Sequence, residues 1–114
     1  MAASDAILVL KVLNGDKAAF GELYDRYAAL VRAIGNQSIS DRDAVQDLTQ
    51  EVFIRAYTKL SGLKEPERFG PWVVGMAKNV GREFRRGKAR DRHVLFGLEP
   101  EDRAADSGDE QQEK

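Results

Sequence analysis

The sequence predicts an all-α fold, a bundle of three to four helices with a disordered acidic tail, and three observations support it. Apolar residues recur at intervals of three and four along residues 4–90, which is typical of amphipathic helices. No segment alternates apolar and polar residues as a half-buried strand does. The 114 residues, 42% of them hydrophobic, suffice for one compact domain with a buried core.

The first two helices are each bounded by residues that favour helix ends. Ser4 or Asp5 caps the first helix, which ends at Asn14-Gly15, a pair that tolerates left-handed backbone. Asp16 is expected to cap the second helix, and Gly35-Asn36 to end it. The apolar positions of the two helices are Ile7, Leu8, Val9, Leu10, Val12 and Leu13, then Phe20, Leu23, Tyr24, Tyr27, Leu30, Val31 and Ile34.

The third helix has two different faces. Ser40 or Asp41 caps it, and it runs to Leu60, ahead of Ser61-Gly62. Its apolar face contains Val45, Leu48, Val52, Ala56 and Leu60. Its opposite face surrounds Ile54 and contains Asp43, Asp47, Gln50, Glu51 and Thr58. An acidic face around one apolar residue suits a basic protein partner, although the pattern also fits an ordinary solvated face.

The fourth helix combines an apolar stripe with unusual glycine content. It is expected to begin near Pro66 or Glu67, because proline is tolerated in a first turn, and to run to about Arg90. The apolar stripe consists of Phe69, Trp72, Val73, Met76, Val80 and Phe84. The helix interior contains Gly70, Gly75 and Gly81. Each internal glycine costs up to about 1 kcal/mol relative to alanine, so we expect close helix packing at these positions.

The opposite face of the fourth helix is strongly basic. Residues 78–92 contain seven basic side chains against Glu83 and Asp91. The side chains that share this face are Lys78, Asn79, Arg82, Arg85 and Arg86. Closely spaced cations suit the phosphates of a nucleic-acid strand, and the amide of Asn79 offers both a donor and an acceptor to a base edge. The loop with Leu63 and Lys64 is placed to help wall a pocket for an unstacked base.

Composition excludes several function classes and reveals a charge asymmetry. Residues 1–98 contain 16 basic and 12 acidic side chains, whereas residues 99–114 contain 2 basic and 7 acidic ones. There is no cysteine, and His93 is the single histidine, so thiolate chemistry and a His-based metal or catalytic cluster are not expected. We therefore expect a cytoplasmic protein that is not an enzyme, with no cofactor, no metal and no membrane insertion.

Three segments, in order, resemble region 2 of bacterial extracytoplasmic-function (ECF) sigma factors. Residues 15–20 (GDKAAF), with Leu23-Tyr24 and Arg26-Tyr27, match its beginning. Residues 43–57 (DAVQDLTQEVFIRAY) are similar to its core-binding helix. Residues 69–79 (FGPWVVGMAKN), followed by Arg85-Arg86, are similar to its promoter-reading helix. The resemblance covers roughly residues 7–92, and the ordered set is highly specific.

The resemblance implies a transcription initiation factor domain that binds its partners and performs no covalent chemistry. It implies that the third helix docks on the clamp coiled coil of the RNA polymerase β′ subunit through Asp47, Gln50, Glu51 and Ile54. It implies that the loop and the fourth helix bind the non-template strand of the minus-ten promoter element, and hold a flipped base, through Leu63, Lys64, Lys78, Asn79, Arg82, Arg85 and Arg86. An anti-sigma factor is a further implied partner.

The expected organisation is a region 2-like domain over residues 1–93 and an acidic linker or tail over residues 94–114, with no region 4 helix-turn-helix. Two alternatives stay open. In the first alternative, the chain is a protein-interaction module, such as a sigma-like adaptor or decoy that does not use DNA. In the other alternative, the carboxylate row of Asp43, Asp47 and Glu51 holds a divalent metal in an enzyme, although an acidic solvated face explains the row more simply.

Overall fold

A computed structural model of the chain describes residues 3–87, and this part is built from helices joined by short turns. The helices are α1 (Asp5–Leu13), α2 (Ala18–Ser38), α3 (Arg42–Lys59) and α4 (Phe69–Arg86). Two 3₁₀ turns, Leu60–Gly62 and Pro66–Arg68, connect α3 to α4. The predicted all-α bundle is therefore confirmed. Within the described range, no helix is long and apolar enough to cross a membrane.

Several predictions concern residues beyond position 87. The structure ends α4 at Arg86, where the N–H of Gly87 donates to the Phe84 carbonyl at 3.1 Å. The predicted continuation to Arg90, the basic side chains after Gly87 and the acidic tail over residues 94–114 lie outside the described residues.

One hydrophobic core is shared by all four helices. The helices α2, α3 and α4 pack against one another, while α1 lies across α2 and the turn Pro66–Arg68. Large side chains with no exposed surface meet at the centre, and they include Leu8, Leu23, Val31, Leu48, Val52, Phe69, Val73 and Val80. The predicted apolar face of α2 is too wide by one residue, because Leu30 is 45% exposed.

The predicted helix caps are confirmed for α1 and α3 and wrong for α2. Ser4 Oγ accepts a hydrogen bond from the N–H three residues later at 3.2 Å, and Asp41 accepts one two residues later at 2.9 Å. The N-cap of α2 is Lys17, whose side chain makes no capping bond. Asp16 contributes its backbone carbonyl, which accepts from the Ala19 N–H at 3.2 Å. A backbone turn thus replaces the expected side-chain cap.

The predicted end of α2 at Gly35-Asn36 is also wrong, because the helix continues to Ser38. Gly35 is buried where α2 crosses α3. A Cβ at this position would lie 3.2 Å from both Leu48 and Val45. The glycine therefore permits close approach of two helices, a role that its place in the sequence does not distinguish from helix termination.

Two glycines of α4 lie against α2 in the same way. A Cβ at Gly70 would lie 2.8 Å from Tyr27 Oη, and one at Gly81 would lie 2.9 Å from Ser38 Oγ. Gly70 and Gly81 are eleven positions apart in α4, and Tyr27 and Ser38 are eleven positions apart in α2. Each spacing corresponds to about 16 Å of helix. The helices α2 and α4 therefore run parallel and in contact over three turns. The expected close packing is confirmed at these two positions.

A polar cluster ties the start of the chain to α2. The Oη of Tyr27 donates to the carboxylate of Asp5, and Arg26 Nη1 donates to the same carboxylate at 2.8 Å. Arg26 Nη2 also donates to the carbonyl of Ala3. Burial and the hydrogen bond to Asp5 raise the pKa of Tyr27 to about 12. Because Tyr27 also abuts Gly70, one side chain connects α1, α2 and α4.

Candidate functional site

The outer side of α4 presents four exposed cations, which we call the cationic row: Lys78, Arg82, Arg85 and Arg86. They lie opposite the buried side of the helix, where Val73, Ala77 and Val80 face the core. Among residues 3–87, none of the four forms an ion pair with a carboxylate. The structure therefore places the four predicted cations together, with their charges available to an anionic partner.

Asn79 lies within the cationic row and is exposed. Its side-chain oxygen accepts a hydrogen bond from Arg82 Nη2, one turn further along the helix. This bond occupies one lone pair of the oxygen, and the amide nitrogen of Asn79 offers its N–H groups to a ligand. This contact also fixes the orientation of the Arg82 guanidinium.

An open depression of about 460 Å³ lies at the beginning of α4. Its lining consists of Leu63, Lys64, Glu65, Arg68, Pro71 and Trp72. The predicted loop residues Leu63 and Lys64 are therefore brought together, with Trp72 as the aromatic wall. Asn79 is seven positions after Trp72, on the same side of α4 and about 10 Å further along. The structure does not bring it into the depression.

Trp72 is a residue of the candidate site that the sequence did not predict. The periodicity assigns it to the apolar stripe, and its ring does pack on Phe69 at a centroid distance of 5.8 Å. It is nevertheless only half-buried, and its remaining surface lines the depression. Its spacing of seven from Asn79, which places both on one side of a helix, is a signal that indicates this double role.

The outer side of α3 carries the four residues that we call the docking face: Asp47, Gln50, Glu51 and Ile54. Ile54 is 61% exposed, more than any other large hydrophobic side chain among the described residues. Asp47 and Gln50 are exposed on the preceding turns. Leu48 is buried in the core, as its place on the predicted apolar face indicates, and Phe53 is buried beside it. The face thus combines polar side chains with an apolar anchor.

Glu51 differs from the rest of the docking face because it already has a partner within the domain. Its carboxylate accepts from Arg55 Nε at 2.7 Å. Arg55 reaches across to α4, where Nη1 and Nη2 donate to the two oxygens of Glu83 at 3.1 and 2.8 Å. The bonds to Glu83, and secondarily to Glu51, raise the pKa of Arg55 above its ordinary value. The network connects the docking face to the helix of the cationic row.

The carboxylates of α3 do not assemble into a metal site in the structure. Over residues 3–87, no group of three or more His, Asp or Glu side chains lies close enough to hold a metal ion. Asp43, Asp47 and Glu51 follow one another along the helix without converging on a point. The geometry offers no support for the metal-dependent alternative.

Comparison with known proteins identifies the family. The family described as sigma-70 region 2 matches residues 23–91, so the chain belongs to this family. The RNA polymerase sigma factor NccH of Alcaligenes xylosoxydans xylosoxydans is 34% identical over 82% of this chain and 50% of its own length. The ECF RNA polymerase sigma-E factor of Haemophilus influenzae is 31% identical over 76% of this chain and 46% of its own.

The ECF RNA polymerase sigma-E factor of Escherichia coli is 32% identical over 71% of this chain and 42% of its own length. The predicted relation to ECF sigma factors is therefore confirmed. The chain spans about half the length of the curated relatives it matches. The range that matches the family includes the residues that form α3, the depression and α4.

Proposed function

We propose that this domain acts in transcription initiation, by binding core RNA polymerase through the docking face and promoter DNA through the cationic row and the depression. Residues 1–93 act as the region 2 domain, and residues 94–114 as an acidic tail. The observation that supports this most directly is the continuous outer side of α4. It leads from an aromatic-walled depression to four cations that have no carboxylate partner within residues 3–87.

The arrangement suits a single strand of DNA. Cations along the helix neutralise successive phosphates, a contribution that does not depend on sequence. Trp72 offers a flat apolar surface on which an unstacked base packs, with Leu63 and Lys64 closing the depression from the loop. Capture of that base offsets part of the melting cost of a few kcal/mol.

Asn79 contacts a different nucleotide from the one in the depression. The two positions are about 10 Å apart along α4, which exceeds the reach of one base. The Nδ2 group donates to a base acceptor while Arg82 holds the amide oxygen. Asn79 and Lys64 therefore influence two separate positions of the minus-ten element rather than a common one.

The docking face suits a basic helical surface such as the clamp coiled coil of the β′ subunit. Ile54 supplies the apolar anchor, and Asp47 and Gln50 supply polar contacts beside it. Glu51 contributes through the carboxylate that also holds Arg55. An exposed apolar centre with a polar rim is the usual composition of a protein interface.

The test of the DNA arm compares charge removal with amide removal. Arg85→Ala or Arg86→Ala lowers the salt slope of binding by up to about 1, for every single strand alike. Asn79→Ala keeps the slope and reduces discrimination at one base position by about 0.5–1.5 kcal/mol, as loss of a single hydrogen bond does. The measurement is binding to minus-ten oligonucleotides with single-base substitutions at two salt concentrations. Equal weakening of all oligonucleotides by Asn79→Ala contradicts base reading.

The test of the polymerase arm uses a matched pair of exposed apolar residues. Ile54→Asp is expected to weaken binding to core polymerase by at least about tenfold, because it places a charge at the centre of the interface. Leu30→Asp, on the outer side of α2, is expected to leave binding unchanged. Both variants keep their melting temperature, since both side chains are exposed. Equal binding by both variants contradicts the docking role.

Oligonucleotide binding and polymerase binding, measured together, separate the sigma role from the adaptor or decoy alternative. A sigma domain binds polymerase and also binds minus-ten single strands in a salt-dependent manner. An adaptor or decoy binds polymerase, and Ile54→Asp disrupts it, but the chain shows no salt-dependent affinity for the oligonucleotides. The cationic row favours the first outcome.

A further inference from the structure

The cationic row has an acidic residue in its midst. Glu83 follows Arg82 directly and is the one acid between Lys78 and Arg86. It lies three positions before Arg86 and four after Asn79, so their side chains are neighbours on the helix surface. An unpaired carboxylate there repels phosphates and attracts the nearest arginine. Unless something else neutralises this charge, the carboxylate weakens the attraction of the row for phosphates.

Arg55 of α3 neutralises this carboxylate from outside the row. Both of its terminal nitrogens donate to Glu83, at 3.1 and 2.8 Å, in the forked geometry that makes arginine–carboxylate pairs strong. The pair is partly shielded from solvent, with 28% of the Arg55 side chain and 32% of the Glu83 side chain exposed. Glu51 holds the remaining nitrogen of Arg55 at 2.7 Å. Three hydrogen bonds thus fix the guanidinium in place.

We propose that Arg55 is a positioning residue for DNA binding, which occupies Glu83 so that Arg86 stays available to a phosphate. This inference rests on the proposed function and adds a residue that itself touches no DNA. Without Arg55, Glu83 pairs with Arg86 at the i, i+3 spacing. The domain then loses a phosphate contact although every residue of the row is intact.

The experiment measures the salt slope of binding to a minus-ten single strand for four variants of the full chain. Arg55→Gln lowers the slope by up to about 1, as loss of one phosphate contact does. Glu83→Gln leaves it unchanged. The double variant Arg55→Gln/Glu83→Gln regains the wild-type slope, because the acid that needed neutralising is gone. Arg55→Lys, which keeps the charge, retains most of the slope.

Melting temperatures recorded on the same samples separate positioning from stability. A structural role for Arg55 predicts that binding follows melting temperature and that removal of Glu83 does not restore it. An unchanged slope in Arg55→Gln, or a double variant as weak as the single one, overturns the proposal. Arg85→Ala provides the reference. If it lowers the slope while Arg55→Gln does not, the proposed function stands and this inference is wrong. If the wild-type chain shows no salt-dependent binding, the proposed function itself fails.

Discussion

The glycines on the inner and outer sides of α4 have opposite surroundings. On the inner side, Gly70 and Gly81 meet α2 so closely that an added Cβ would lie within 3 Å of a side-chain oxygen. On the outer side, a Cβ at Gly75 would have no other atom of residues 3–87 within 4 Å, apart from its own helix and immediate neighbours. The same residue type in one helix thus permits close packing on one side and leaves an open surface on the other. The sequence predicted close helix packing at Gly70, Gly75 and Gly81, and the structure shows it at Gly70 and Gly81 only.

The inner contacts also differ from each other. Gly70 meets an aromatic ring whose hydroxyl donates to Asp5 and whose centroid lies 5.6 Å from that of Phe69. Gly81 meets the hydroxyl of Ser38, a short side chain that can rotate away. An added Cβ destabilises the fold more when the side chain that it crowds is held in place by other contacts. This difference gives four predictions, ordered by the size of the expected effect.

Substitution of Gly70 is expected to have the largest effect. Gly70→Val crowds the ring of Tyr27 and lowers the free energy of unfolding by about 2–3 kcal/mol, because the ring cannot move without breaking its bond to Asp5. Gly75→Val is the matched control on the outer side and stays within about 0.5 kcal/mol of wild type. Urea unfolding measures both. Similar losses for the two variants contradict the assignment of an inner and an outer side.

The hydroxyl of Tyr27 is expected to contribute next. Tyr27→Phe removes the hydrogen bond to Asp5 and costs about 1–2 kcal/mol at neutral pH. The folded-state pKa of about 12 is above the ordinary 10, so this contribution is complete below pH 10 and is lost as the pH rises towards 12. The stability curves of wild type and variant therefore converge in that window. Parallel curves show that Tyr27 does not titrate as described.

Replacing helical glycines that have open space at the Cβ position is expected to stabilise the fold. Gly75→Ala and Gly21→Ala each raise the free energy of unfolding by up to about 1 kcal/mol, because each Cβ enters open space on a helix. Gly21→Ala in α2 is the control away from the cationic row. We expect oligonucleotide affinity to change less than about twofold in both, since neither alters charge. A loss confined to Gly75→Ala shows that the strand contacts the backbone of α4.

Gly81→Ala is expected to have the smallest effect, within about 0.5 kcal/mol of wild type. The new methyl group crowds Ser38 Oγ, but rotation of that hydroxyl relieves the contact, and the helix propensity of alanine offsets the remainder. Thermal unfolding of Gly81→Ala beside Ser38→Ala/Gly81→Ala measures the contact. A large loss in the single variant that the double variant restores shows that Ser38 is held as firmly as Tyr27.

The candidate site was predictable where it depends on a single helix. Arg82, Asn79 and Arg86 share the outer side of α4 because helical periodicity places them there, and no other segment alters that. Ile54 is exposed on α3 for the same reason. Trp72 belongs to the apolar stripe as predicted, but it also lines the depression. An amphipathic ring can serve both, and only the packing of the loop shows its exposed part.

The sequence alone determined the all-helical type of the fold, the opposite charges of the α3 and α4 outer faces and the family to which the chain belongs. Those features follow from local periodicity and from ordered motifs. Tertiary structure decided which glycines are contacts, where α2 ends and which cation neutralises Glu83. Arg55 and Glu83 are 28 positions apart, and Gly35 meets α3 across a turn. Such pairings depend on how whole helices pack, and no local pattern specifies which side chains then meet.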